Sequence, residues 1–155
     1  MENIINPQLI PKRSTIDSCG YDLYVPTETG WDISTDFVTY DTGVRFTGKE
    51  IPFIRADMAW FAMIVPRSSM GFKHGLEFSN TVCIIDQDYR DTIKVNMRAN
   101  HRFTLGYGSR FAQLIFLPYG ILKDEIEPTA RRNGGIGSTD NDNQTKLEGF
   151  FWVSL

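Results

Sequence analysis

The 155-residue sequence has only two cysteines, Cys19 and Cys83, far apart and at no metal-ligand spacing. Two thiols are too few for a disulfide-stapled secreted framework, so both are expected as reduced core or strand residues in a cytoplasmic protein. Positive charge is not in excess: 16 Lys and Arg stand against 19 Asp and Glu, a net charge of −3. That balance argues against gripping nucleic acid directly through bulk charge, so any phosphate ligand must be held by a few placed groups. No apolar run approaches the roughly 18–20 residues that span a bilayer, and no basic-then-apolar leader opens the chain, so neither a membrane partner nor export is expected. Long helical periodicity, internal repeats and low-complexity segments are missing too.

With 41% apolar residues, the length suits one domain with a proper core. Its apolar residues fall in short alternating runs. Tyr21, Leu23 and Val25 alternate with Asp22 and Tyr24, which predicts a strand with the latter pair on its other face. Residues 27–36 read as a polar loop. Residues 37–40, 44–46 and 60–65 then read as further short strands, and regular short strands between turn signals indicate an all-β sandwich or barrel. Residues 66–75 read as one short helix, with Ser68 or Ser69 as N-cap and Gly75 as its stop. Arg67 and Ser68 at that start suit an anion, although a capped surface turn fits the same residues.

Residues 80–95 place acidic groups and a phenol between two runs of β-branched residues. They read as a β-hairpin, residues 82–85 and 92–95 forming its arms and residues 86–91 its bend. By themselves they fit an ordinary acidic turn better. In residues 105–117, Arg110 and Gln113 interrupt a strand otherwise fit for the core, which calls for partners, either a structural network or a ligand. Residues 129–140 are glycine-rich and basic, able to approach phosphate oxygens or to act as a plain linker.

Together these stretches resemble the trimeric dUTPase family. Its five ordered motifs have counterparts in GYDL at 20–23, PRSS at 66–69, IDQDYR at 85–90, RFAQL at 110–114 and RRNGGIGST at 131–139, and residues 41–44 resemble the strand leading to the second motif. The resemblance implies a distorted jelly-roll-like all-β barrel with one short helix and a C-terminal arm, assembled as a homotrimer with active sites at subunit contacts. The implied division is residues 1–128 as core, 129–140 as a phosphate-closing arm and 141–155 as a tail. It implies magnesium-dependent conversion of dUTP and water to dUMP and pyrophosphate by attack at the α-phosphorus, which would keep uracil out of DNA and supply dUMP for dTMP synthesis.

Carried over by position, Asp86 orients and deprotonates the water, and Asp22 contacts Mg2+ through water. Arg67, Ser68, Ser69 and Gln113 hold phosphate oxygens, with Arg131, Gly135, Gly137, Ser138 and Thr139 closing over them. Asn80, Cys83 and Ile84 lie on the uracil-pairing hairpin, Tyr89 under the deoxyribose, and Ile136 over the base. Cys83 and Asp91 stand where the family usually has glycine, Arg132 replaces another glycine, Ile136 replaces the arm phenylalanine and Asp140 a final glycine. Weaker closure is expected, and preference for a 5-modified deoxyuridine triphosphate is left open.

Two other readings compete: a dCTP deaminase of the same fold, whose pattern lacks the turn at 86–89, and a dUTPase-fold regulator that works by binding protein. In the tail, Gln144, Leu147, Phe150 and Phe151 resemble the box by which replication proteins bind a DNA sliding clamp. The same aromatics could instead dock on the protein's own trimer.

Overall fold

A computed structural model of the chain describes residues 7–46, 59–126 and 128–129. Ten short strands and one helix account for the regular structure of these residues, apart from a single 3-10 turn at Pro7–Leu9. The largest sheet is five-stranded and antiparallel. Its order is β1 (Lys12–Arg13), β2 (Tyr21–Tyr24), β10 (Arg110–Pro118), β5 (Trp60–Pro66) and β7 (Cys83–Asp86). A three-stranded sheet places β8 (Lys94–Arg98) between β4 (Val38–Asp41) and β6 (Glu77–Phe78), and β3 (Trp31–Ile33) pairs with β9 (Phe103–Leu105).

Alternation explains which faces close on the core. Along β5, Trp60, Ala62 and Ile64 are buried and along β8 Val95 and Met97 are buried, while the residues between them are less so. Leu23, Ile64, Ile93, Phe111 and Leu114 are fully enclosed, each worth roughly 1.5–3 kcal/mol of transfer free energy. Trp31 packs edge-on against Phe111, and Phe46, Trp60 and Phe116 form a second aromatic group.

The central strand sets the frame. Gln113 on β10 is the Cα partner of Asp22 on β2 and of Val65 on β5, while Phe61 at the other end of β5 partners Asp86 on β7.

Several local expectations change. Residues 82–85 and 92–95 are not arms of one hairpin: β7 pairs with β5, whereas β8 pairs with β4 and β6. Residues 87–93 therefore carry the chain from one sheet to another, because Tyr89 and Ile93 are drawn into the core between them. Residues 27–36 contain β3, whose Trp31 and Ile33 face inward around Asp32, too short an alternation to stand out. Residues 44–46 bury Val44 and Phe46 without forming a strand.

The helix α1 spans Ser68–His74, and its N-cap is Arg67 rather than a serine. Arg67 is extended (φ −64°, ψ 143°) and makes no side-chain cap, its guanidinium being engaged by Asp22. Gly75 does end the helix, at φ 62°. Cys83 is buried on β7, but Cys19 is exposed and outside any strand.

Candidate active site

One group of candidate residues gathers around Asp22. Strand β2 turns this carboxylate away from Leu23 and Val25, yet it is only 1% exposed because arginines cover it. Ser14 Oγ donates to Asp22 Oδ2 at 2.5 Å, and Arg110 Nη1 donates to the same oxygen at 3.2 Å and to Ser14 Oγ at 3.0 Å. Arg67 Nε lies 3.1 Å from Asp22 Oδ1 as an ion pair, although Oδ1 is buried without an aligned hydrogen bond among the described residues. Two guanidiniums against one carboxylate leave a surplus positive charge, which suits phosphate.

The backbone fixes this group. Arg67 N–H donates to the Phe111 carbonyl at 3.0 Å, tying the helix entrance to β10. Gln113 is half-buried between β2 and β5, and a Cβ at Gly20 would come within 3.0 Å of its own Cβ, so only glycine lets the two strands and this amide approach so closely. Ser68 is exposed and Ser69 half-buried at the start of α1. Burial raises the Tyr24 phenol above its ordinary 10.0, with the Asp22 charge adding to it.

The second group is strung along β7 and the turn beyond it. Asp86 ends the strand exposed, as is Ile84 on the same face, while Cys83 and Ile85 point into the core. Burial raises the Cys83 thiol above 9.0, partly opposed by its hydrogen bond to Asn80 Oδ1 at 3.5 Å. Only the backbone of Cys83 therefore faces away from the core. Tyr89 is 4% exposed and donates from its hydroxyl to the Thr92 carbonyl at 3.0 Å, so most of its ring is held within the protein.

Other bonds hold this turn rigidly. Tyr89 N–H donates to the Asp86 carbonyl at 3.0 Å, and Thr92 Oγ1 donates to Asp41 Oδ2 at 2.7 Å. Just before β7, Thr81 has φ 65°, a left-handed conformation that costs a β-branched residue roughly 1–2 kcal/mol. Strain of that kind clusters where a backbone must present itself to a ligand.

The two groups do not meet within one chain. Asp86 is level with Phe61, and Arg67 lies six residues further along that strand, so their backbones are roughly 20 Å apart at about 3.3 Å per residue. Side chains cannot close that gap onto one phosphorus. A cavity of about 380 Å³ lined by Asp32, Ile33, Ser34, Arg102, Phe103 and Thr104 shares no residue with either group. Arg131, Gly135, Ile136, Gly137, Ser138 and Thr139, and also Gln144, Leu147, Phe150 and Phe151, lie outside the described residues.

Sequence reasoning found most members of these groups but missed Ser14, which carries no periodic signal and is brought in by the strand β1. Arg110 stands out in the sequence as a polar group in a core strand and as the first residue of the fourth motif, without an assigned role. Thr81 had no signal, since a positive φ at threonine is visible only in the backbone.

The dUTPase family model matches residues 6–140, nearly the whole chain. This chain belongs to the dUTPase family. It is 36% identical over 149 residues to the deoxyuridine 5'-triphosphate nucleotidohydrolase of Escherichia phage T5, covering 88% of this chain and 95% of that one. Its fold is similar to the crystal structure of dUTPase from Streptococcus mutans, with a TM-score of 0.61, 28% identity and coverage of 76% and 91%. A mutant dUTPase from phage phi11 of S. aureus has the same fold (TM-score 0.61, 15% identity, 81% and 95% covered), and its structure describes the coordination of a structural Mg(II) ion. Residues 141–155 lie beyond the family match.

No cluster of three or more His, Cys, Asp or Glu able to hold a metal occurs among the described residues. Magnesium keeps most of its waters and takes few protein ligands, so a cage is not required. The buried Asp22 Oδ1, without an aligned hydrogen bond among the described residues, is an acceptor that a metal-bound water would satisfy. The donor chemistry thus fits a contact through water.

Proposed function

We propose that this protein hydrolyses dUTP to dUMP and pyrophosphate, with each active site assembled from more than one chain. The observation that carries the shared site is the placement of Asp86 level with Phe61 near one end of β5 and of Arg67 just past its other end. In a trimer, the Asp86 turn of one subunit faces the Asp22, Arg67, Ser68 and Gln113 group of a neighbour. Exposed Ile84, Ile121, Leu122 and Ile126 are apolar surface that such an assembly covers.

In this reading Asp86 accepts the proton of the water that attacks the α-phosphorus. Arg67, Ser68, Ser69 and Gln113 bind phosphate oxygens, and Asp22 with Arg110 sets the direction of Arg67. A carboxylate is a weak base, so alignment and charge neutralisation supply most of the acceleration. Asp22 would hold, through water, a magnesium ion carried with the triphosphate, and such an ion would supply charge neutralisation at the phosphates. Asn80 and the backbone from Thr81 to Ile84 read the uracil edge; the buried Cys83 side chain leaves the base to that backbone.

Phosphorus NMR of products from dUTP, dCTP, dTTP and UTP with magnesium tests the reaction. Selective formation of dUMP and pyrophosphate is expected. Ammonia from dCTP, the product of a deaminase, or stepwise phosphate release from all four nucleotides would overturn it. For the tail, the sliding-clamp reading rests on the pattern of Gln144, Leu147, Phe150 and Phe151 alone, and a peptide of residues 141–155 that fails to bind a clamp ends it.

A further inference from the structure

The sequence has two histidines, and the fold brings them together. His74 ends α1 and His101 sits in the turn between β8 and β9, yet His74 Nδ1 lies 3.2 Å from His101 Nε2. The backbone sets this meeting: Asn100 N–H donates to the His74 carbonyl at 2.9 Å, and Gly75 in its left-handed conformation turns the chain away. Phe103 stacks flat on the His74 ring, with centroids 4.0 Å apart and planes 14° apart, which fixes one imidazole before any ligand arrives.

Two neutral imidazoles so placed can share one N–H···N hydrogen bond or direct two lone pairs at one ion. Tetrahedral zinc with Zn–N of about 2.05 Å sets its nitrogens about 3.3 Å apart and the ring centroids about 5.2 Å apart. The observed centroid separation is 5.2 Å.

We propose that His74 Nδ1 and His101 Nε2 form a binding site for a divalent transition ion of the zinc, nickel or copper class. Imidazole nitrogens select that class over magnesium. Lys73 and Arg102, the sequence neighbours, supply no oxygen ligand for magnesium. Water completes the coordination, and the ion clips the end of α1, whose other end follows Arg67, to the β8–β9 turn.

The test is calorimetric titration of the full-length protein with ZnCl2 in chelator-stripped buffer containing excess Mg2+, beside nitrogen NMR of the histidine rings. One equivalent per chain should bind, with affinity at least tenfold weaker in both His74→Gln and His101→Asn. The zinc-induced ring shifts should fall on His74 Nδ1 and His101 Nε2. His101 is exposed, so its variant should keep the native circular dichroism and melting temperature in chelator. No binding, binding unchanged in either variant, or shifts on other atoms would overturn the site and leave the pair as a hydrogen bond.

Discussion

Asp22 and Asp86 belong to one large sheet and both stand apart from the core alternation, but their surroundings differ. Asp22 is 1% exposed and enclosed by Ser14, Arg67 and Arg110. Asp86 is exposed at a strand end beside Ile84. A carboxylate held by two guanidiniums is committed to keeping them in place, whereas an exposed one can accept a proton from a ligand. Under the proposed function, the comparison separates a residue that would build a phosphate cradle from a residue that would act on water.

Exchanging each acid for its amide should break that comparison in opposite ways. Asp86→Asn should lower dUTP turnover by roughly 10²–10⁴-fold, the usual worth of a positioned proton acceptor, while stability stays within about 0.5 kcal/mol. Steady-state kinetics and urea unfolding read both. Asp22→Asn should instead cost about 2–4 kcal/mol of stability, at the lower side for a broken buried pair because both arginines reach solvent. Turnover by the folded fraction should fall with it as Arg67 loses its direction. A stable, fully active Asp22→Asn would remove the cradle role.

A smaller effect is expected just before the Asp86 strand. Thr81→Gly should raise stability by up to about 1 kcal/mol, since glycine accepts the φ of 65° without a Cβ clash. If the strained backbone presents the base-reading edge, the same change should raise KM for dUTP, because the unbound turn becomes looser.

The smallest effects lie in the thiols. Cys19 should react with an aromatic disulfide in the native protein and Cys83 only on unfolding, as one is exposed and the other buried. Burial raises the folded Cys83 thiol above 9.0, so the unfolded chain gives up its proton first. The stabilisation is therefore complete at lower pH and shrinks as pH rises past 9.0, and the raised Tyr24 and Tyr40 phenols repeat this above 10.0. Urea midpoints measured across that range for the protein and for Cys83→Ala should show the slope easing in the variant.

The sequence carried the strand character of residues 60–65, the glycine stop at 75 and the need of Arg110 and Gln113 for partners, because each depends on local pattern or on a polar group in an apolar strand. It could not tell which sheet a strand joins. Residues 82–85 and 92–95 look like hairpin arms, but their pairing is decided by β5 and β4, distant in sequence. The same blindness hid Ser14, brought to Asp22 by the two-residue strand β1. It also misassigned the helix cap, since a local rule favours serine while a long-range carboxylate claims the arginine before it.

The most direct test of the shared site mixes two inactive proteins, Asp86→Asn and Arg67→Ala, by unfolding and refolding them together. If each site takes its Asp86 from one chain and its Arg67 from another, equal mixing should restore about one quarter of the unaltered activity, the fraction of sites receiving both intact groups. Activity that stays at the level of the two parents, in mixed assemblies verified by native mass spectrometry, would mean both groups serve the site from the same chain, contradicting the account.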